Sequence, residues 1–430
     1  MPNSFTSSSD ATRLIRRLAL FAGGLALLYA VALGVLAAIP APGDATERYS
    51  LYQFVARDVT LPGGYGYTLT RYREIEQHHD IDLLFLGSSR CYYSFSPQVF
   101  QRLGLSSFNM GSPSQTPLNS YYLLKRFYDR LNPKLVIFEI NHHILQKDGV
   151  ESFLDLMINQ PLSWEMIAMG LATRDPHALN SLCARTIASL HEDFDTVRMQ
   201  PRPMDEYVTG GAVVARNFNE ELFNDSPMTV DIFPRQTGYI GKIVDYVQAH
   251  GGRILLVVAP VPGEWKGVIL NYGAVTEPLK AMAMDRGVRL FDFNEAMALD
   301  ARTFFKDFHH LNANGAKIFS YDVVDSLLDV SDYREILQIE PALAAEVYNG
   351  RGITFAQQGE WGRAIEDYHR ALALTPDNGM IAYNLARACE QAGQREDAIV
   401  AYRSFIDHAD ETNRSFVEPV KQHLATLETP

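Results

Sequence analysis

Hydrophobic positions are unevenly distributed along this chain, and the first segment is the most extreme. Leu18 to Ile39 carries no charge, is preceded by Arg13, Arg16 and Arg17, and is followed by Pro40-Ala41-Pro42-Gly43-Asp44. A helix of that length crosses the hydrocarbon core of a bilayer, and the basic flank belongs on the cytoplasmic side. The pattern predicts a short cytoplasmic segment (1–17), a transmembrane anchor (18–39) and export of everything from about residue 45. A cleavable signal peptide is the competing reading, with Ala37 and Ala38 as small residues near its end, but the apolar core of such a peptide is shorter than this run.

Further on, short apolar runs alternate with amphipathic stretches. Leu83–Leu86, Leu135–Phe138, Ile254–Ala259 and Val288–Asp292 are too short for helices, are rich in Val, Ile, Leu and Phe, and are bounded by Gly, Pro or charged residues. Their lack of strict alternation suits strands covered on both faces, hence a parallel sheet. Helices are predicted at Pro117–Leu131, Arg235–His250 and Ala313–Leu328. The expected fold class is α/β, with flanking helices and chemistry at the carboxyl ends of the strands. Residues 150–230 break the alternation, with helical stretches, the polar segments 191–195 and 217–226, and no convincing strand. They are read as a helical insertion in a domain spanning 45–330.

After residue 340 the chain repeats itself. Gly359, Ala364, Ile365 and Tyr368 recur thirty-four residues later as Gly393, Ala398, Ile399 and Tyr402. That is the period of a tetratricopeptide helix pair, and the first unit resembles that consensus at Gly352, Phe355, Ala364, Tyr368, Ala371 and Pro376. Units at 345–378 and 379–412 are expected within an all-α domain of 340–430. Ser415–Leu427 is expected as a capping helix opened by a Ser415/Glu418 capping box. Two units bury little surface between themselves, so the array should lean on the preceding domain or on a partner.

Composition narrows the function. A net charge of −13, with no basic stripe after the first twenty residues, argues against a nucleic-acid partner. Cys91, Cys183 and Cys389 lack metal-site spacing, and no cofactor or metal is expected. The chemistry is carried by two segments. Gly87-Ser88-Ser89 follows a predicted strand, so a hydroxyl would be presented on a tight strand-to-helix turn. Asp307-Phe308-His309-His310 follows the last strand, and an aspartate three residues before a histidine can hold the ring's Nδ1 and leave Nε2 for the serine. The doublets His142-His143 and His309-His310 also admit a metal reading, although adjacent histidines on a strand point to opposite faces. Arg90 is read as an exposed arginine packing on the sheet edge, with contact to a carboxylate or phosphate near the serine as the alternative.

Over residues 75–330 these segments resemble the SGNH (GDSL-type) hydrolase superfamily, and within it the branch acting in cell-surface polysaccharide O-acetylation or teichoic acid D-alanylation. The resemblance implies Ser89 as nucleophile, His310 as base and Asp307 as its orienting partner. Phe108-Asn109-Met110-Gly111 is similar to the second family block and implies Gly111 as an oxyanion donor through its backbone. Glu139-Ile140-Asn141-His142 is similar to the third and implies Asn141 as another. Three positions depart from the pattern: Ser88 stands where the family has aspartate, Glu139 where it has glycine, and His142 where it often has aspartate. The resemblance further implies acyl transfer to an exported surface polysaccharide, a multi-spanning membrane-bound O-acyltransferase as partner, and a single-pass protein of the cytoplasmic membrane whose bulk is periplasmic or extracellular. The repeats imply a protein partner. An acetyl esterase using the same triad, or a silent scaffold of a secretion complex, are the alternatives.

Overall fold

The computed structural model describes residues 8–38, 65–188, 205–216, 227–263, 267–340 and 343–429. The proline-rich stop after the apolar run and the polar segments 191–195 and 217–226 lie outside them. The N-terminal helix spans Ser8–Ala38, and its stretch Ala11–Val35 is long and apolar enough to cross a membrane. Its Tyr29 hydroxyl bonds Asn180 on the helix Pro176–Ala188.

Seven strands form among the described residues: β1 (Leu83–Leu86), β2 (Ser107–Asn109), β3 (Leu135–Glu139), β4 (Asp205–Val208), β5 (Ala212–Ala215), β6 (Arg253–Val258) and β7 (Arg289–Asp292). Five make a parallel sheet in the order β2-β1-β3-β6-β7. This order reverses direction between β1 and β3, and ligands of doubly wound sheets bind outside the carboxyl ends at such a point. Successive residues of the central strands face opposite layers. Leu83, Phe85, Leu135, Ile137, Leu255 and Val257 enter one core, while Leu84, Leu86, Val136, Phe138, Ile254 and Leu256 enter the other. Both faces are therefore apolar, which is why these strands read as continuous runs rather than alternating ones.

The helices Pro117–Leu131 and Ala313–Leu328 occupy their expected spans, and Arg235–His250 shifts to Pro234–Ala249. Two expectations need correction, and one element is additional. β2 was not foreseen: three residues at the sheet edge carry too little pattern to register. The 150–230 segment is not wholly helical. After Val150–Ile158, Trp164–Thr173 and Pro176–Ala188 it forms the antiparallel hairpin β4–β5, turned by Gly210 and Gly211, both at positive φ. Lastly, the terminal helix is Arg414–Glu428, so Ser415 lies inside it and no Ser415/Glu418 capping box forms. Its N-cap is Asn413, and the preceding turn is closed by Asp410, whose Oδ1 accepts from the Thr412 and Asn413 amides.

Helix pairs Leu343–Gln357 with Trp361–Leu374, and Gly379–Gln391 with Arg395–His408, precede that terminal helix. They share a continuous apolar core with one face of the sheet. Arg351 ties the join: it bonds Asp367 on the next repeat helix (Nε 2.8 Å, Nη2 2.7 Å) and Asp322 on Ala313–Leu328.

Candidate active site

β1 is followed by Gly87, whose φ of +153° and close packing against Cys91 and Glu139 leave no room for a side chain. The chain turns there into the short helix Ser89–Ser94. Ser88 and Arg90 are buried, whereas Ser89 between them is partly exposed, so the turn presents a single hydroxyl. Ser89 is the first residue of that helix, where backbone N–H groups have no intrahelical acceptor and the dipole favours negative charge.

The opposing loop is equally constrained. A bridge between Phe305 and Leu311 closes its base, the Lys306 amide donates to the His310 carbonyl at 2.8 Å, and Phe304, Phe305 and Leu311 anchor it in the core. Asn312 caps the following helix by accepting from the Asn314 and Gly315 amides. At the tip, Asp307 Oδ1 accepts from the His309 and His310 amides at 3.0 and 2.9 Å, and Asp307 Oδ2 lies 2.8 Å from His310 Nδ1. His310 Nε2 lies 2.8 Å from Ser89 Oγ. Residues 221 positions apart thus form a continuous hydroxyl–imidazole–carboxylate chain. Burial alone would raise the Asp307 carboxyl, but hydrogen bonding to His310 and the two neighbouring imidazoles hold it well below the usual carboxylate range.

Asn141 follows β3 and reaches the same edge, its Nδ2 lying 3.4 Å from Ser88 Oγ while its Oδ1 accepts from the His143 amide at 3.1 Å. Gly111 is brought beside the turn, since an added Cβ would sit 3.0 Å from the Ser88 carbonyl. Its amide, however, donates to Asn109 Oδ1 at 2.9 Å instead of facing Ser89. The buried Asn109 side chain folds back to satisfy itself on Gly111 and on the Cys91 carbonyl (3.0 Å), and this redirects the donor expected for the oxyanion.

Two of the sequence departures, Ser88 and Glu139, meet beneath Ser89. Glu139 Oε2 accepts from the Ser88 amide at 3.3 Å and from the Ser88 hydroxyl at 3.1 Å. Arg90, expected at the surface, is buried: its Nη2 donates to the carbonyls of Ala259 and, at 3.3 Å, Pro260, and its Nε lies 3.8 Å from Glu139 Oε1. Burial pushes the Glu139 carboxyl up, opposed by Arg90, and pushes the Arg90 guanidinium down, opposed by Glu139. Arg90 also lines, with Asn141, His142, Val261, Ile269 and Tyr272, a cavity of about 200 Å³.

The histidine doublets resolve differently from a metal site on a strand. His142 and His143 lie in a 3-10 turn after β3, and His142 Nε2 pairs with Thr276 Oγ1 at 2.8 Å. Burial and, secondarily, Arg90 lower the His142 imidazole to about 3, so it is neutral. Asp307, His309 and His310 do bring ligand atoms within 4.8 Å of one another. A cation there would compete for the same Asp307 oxygens and His310 Nδ1 that already bond each other.

Sequence reasoning missed Tyr93, whose ring lies 4.9 Å from that of His310, and its partners Lys306 and Asp205. One signal was present: Tyr93 stands four residues after Ser89, on the same helical face.

Residues 345–378 match the tetratricopeptide repeat family model. No curated protein matches the chain. Among solved structures, the chain is similar to a protein described as an acylhydrolase from Bacteroides fragilis, with 14% identity, 64% of this chain and 98% of that one covered, and a TM-score of 0.34. It is also similar to a GDSL-like lipase from Bacteroides thetaiotaomicron, with 12% identity, 62% and 97% covered, and a TM-score of 0.32. At that identity and TM-score nothing of their activity transfers to this chain.

Proposed function

We propose that this chain is an acyl-transfer enzyme working through a Ser89 acyl-enzyme, anchored by its N-terminal helix and acting outside the cytoplasm on an exported polysaccharide. The observation that carries the chemistry is the unbroken line Ser89 Oγ, His310 Nε2, His310 Nδ1, Asp307 Oδ2, with 2.8 Å at both links. In the acylation step Ser89 Oγ bonds to the carbonyl carbon of an ester as its proton passes to His310 Nε2. The imidazolium is stabilised by Asp307 and then protonates the departing alkoxide. In the second step His310 Nε2 takes the proton of a sugar hydroxyl as its oxygen bonds to the acyl carbon; the bond from that carbon to Ser89 Oγ then breaks, and His310 gives the proton to Ser89 Oγ. The Ser89 amide and Asn141 Nδ2 serve the oxyanion, and loss of one such donor typically slows turnover by about 10²–10³.

Acyl donors such as acetyl-CoA are confined to the cytoplasm, so a membrane-bound O-acyltransferase is the partner that fits delivery of the group. The apolar N-terminal helix and the repeats, a protein-binding class of module, support an assembly of that kind. The test uses the full chain in detergent with p-nitrophenyl acetate, with and without an oligosaccharide. A single acetyl adduct on Ser89 by mass spectrometry, absent from Ser89→Ala, and acetylated oligosaccharide exceeding free acetate, are expected. An adduct that yields only acetate makes the protein an esterase with the same triad. No adduct at all refutes the acyl-enzyme and leaves the scaffold alternative.

A further inference from the structure

Asp205 opens the hairpin β4–β5, far in sequence from either catalytic segment, yet its carboxylate divides between them. Oδ2 accepts from the Tyr93 hydroxyl at 2.8 Å and Oδ1 from Lys306 Nζ at 2.7 Å, while Lys306 Nζ lies 2.8 Å from the Tyr93 oxygen. The three side chains close a triangle whose corners belong to three elements: the nucleophile's helix, the loop of the base, and the insertion. Tyr93 rests its ring 4.9 Å from the His310 ring, and Lys306 immediately precedes Asp307. The Lys306–Asp205 pair is mostly shielded, with 19% and 10% of the side chains exposed, so solvent screens it less than a surface pair.

The hairpin is seated firmly enough to act as a fixed point. Arg71 Nε donates to the Gly211 carbonyl at 2.6 Å, the Gly210 amide to Glu74 Oε1 at 2.7 Å, the Asn109 amide to the Gly210 carbonyl at 2.8 Å, and the Tyr67 hydroxyl to the Asp205 carbonyl at 2.6 Å. Asp205 is thus held by its own backbone and by both edges of the hairpin turn.

We propose that Asp205 is a positioning residue for the catalytic base: it keeps the Lys306 ammonium occupied, and therefore off Asp307, and holds the Tyr93 ring against His310. This rests on the acyl-transfer reading of the triad. A lysine next in sequence to the orienting carboxylate is a hazard to that site. Freed from Asp205, its ammonium would draw on Asp307 and weaken the support that carboxylate gives the imidazolium. The charged and titratable groups facing His310 are Lys306, Asp307 and His309 on its own loop, with Asp205, Tyr93 and the buried Glu139 on the elements packed around it. The insertion thereby supplies the counter-charge that lets the loop carry a lysine.

The experiment uses the full chain in detergent micelles, with Asp205→Asn, Asp205→Ala, Lys306→Met and the double variant Asp205→Asn/Lys306→Met. Two quantities are read: the titration midpoint of the His310 ring by NMR of carbon-13-labelled histidine, and the rate of Ser89 labelling by a fluorophosphonate. Asp205→Asn should lower the midpoint by about half a pH unit or more, since an unpaired cation disfavours imidazolium, and slow labelling about tenfold. The double variant should recover most of both losses, because the freed ammonium is then gone. An unchanged midpoint in Asp205→Asn, or a double variant no better than the single, overturns the proposal. If the midpoint behaves as expected but wild-type Ser89 is never labelled, the positioning role stands and the acyl-enzyme fails. The isosteric Asp205→Asn carries the test should Asp205→Ala not fold.

Discussion

Glu139→Gln is the most informative single change under the site. Glutamine keeps an oxygen to accept from the Ser88 amide and hydroxyl, so the hydrogen bonds now at 3.3 and 3.1 Å have a substitute acceptor. What is lost is the negative charge facing Arg90 across 3.8 Å, between side chains that are 0% and 4% exposed. At an effective dielectric near 20, two unit charges at that separation attract by about 4 kcal/mol. Removing one member of a buried pair costs about 3–5 kcal/mol, because the survivor stays buried and uncompensated. The carbonyls of Ala259 and Pro260 still hold Arg90, which places the expected loss at the lower end, about 3 kcal/mol. Arg90→Met should cost a similar amount by stranding Glu139. The double variant Arg90→Met/Glu139→Gln removes both charges and should lose only about 1 kcal/mol, a coupling of several kcal/mol. Native-state hydrogen exchange on peptides covering β1 and β3 measures each opening free energy directly. If the double variant loses the sum of the two singles, the pair is not electrostatically coupled and this account of Glu139 is wrong.

On the proposed mechanism, Asn141→Ala should leave Ser89 open to a fluorophosphonate but slow ester turnover by about 10²–10³, measured as kcat on p-nitrophenyl acetate, since it removes the Nδ2 donor beside the Ser88–Ser89 turn. Gly211→Ala should undock the hairpin. Its φ is +82° and a Cβ there would fall on the Asn109 carbonyl, so the backbone alone costs about 1–2 kcal/mol before the clash is relieved, visible as faster exchange across β4 and β5. Asp322 is raised to about 6 by burial, with Arg351 opposing and Asp325 and Asp367 adding to the rise. A carboxyl raised in the folded state contributes stability that is fully present below its unfolded value near 4 and is lost as pH climbs through about 6. That amounts to at most about 3 kcal/mol for two units. Asp322→Asn should flatten this dependence, read as exchange protection of the helix Leu343–Gln357 between about pH 4 and 7.

The parts of this molecule legible in its sequence are those where a local pattern and a tertiary requirement coincide. The β1, β3 and β6 runs are apolar on both faces because each layer of the sheet needs them so, and Gly87-Ser88-Ser89 and Asp307–His310 carry their geometry within four residues. β2 and β4–β5 were hidden for the converse reason. Ser107–Asn109 owes its extension to pairing with β1, and Asp205–Val208 owes its own to a partner across two glycines. Gly111 shows a subtler limit: a motif can bring a residue to the right place while a neighbouring side chain, here Asn109, takes its donor. Glu139 and Ser88 each read as an isolated departure, yet they bond each other, Glu139 from the end of β3 and Ser88 from the turn after β1.

The repeats raise a related point about how their role is to be tested. Val347 and Phe355 of the first repeat helix belong to the same apolar core as Val323, Val324 and Leu327 of the helix that follows the His310 loop. The Phe304 ring, at the base of that loop, meets Phe355 edge-on at 6.2 Å. Tyr348 donates to Asp325 at 2.8 Å, and Arg351 spans both units. Removing 340–430 would therefore strip cover from the layer that anchors Phe304, Phe305 and Leu311, and with them the geometry of Asp307 and His310. Activity lost on such a truncation would report an exposed core rather than a lost partner. Substitutions at exposed positions of the second repeat and terminal helix, such as Val400 and Phe416, separate the two, since both lie at the surface, remote in sequence from the Arg351 join. If such changes abolish polymer acylation in cells while Ser89 still labels at the wild-type rate, the repeats recruit a partner. If labelling falls in step, they serve the fold of the active site.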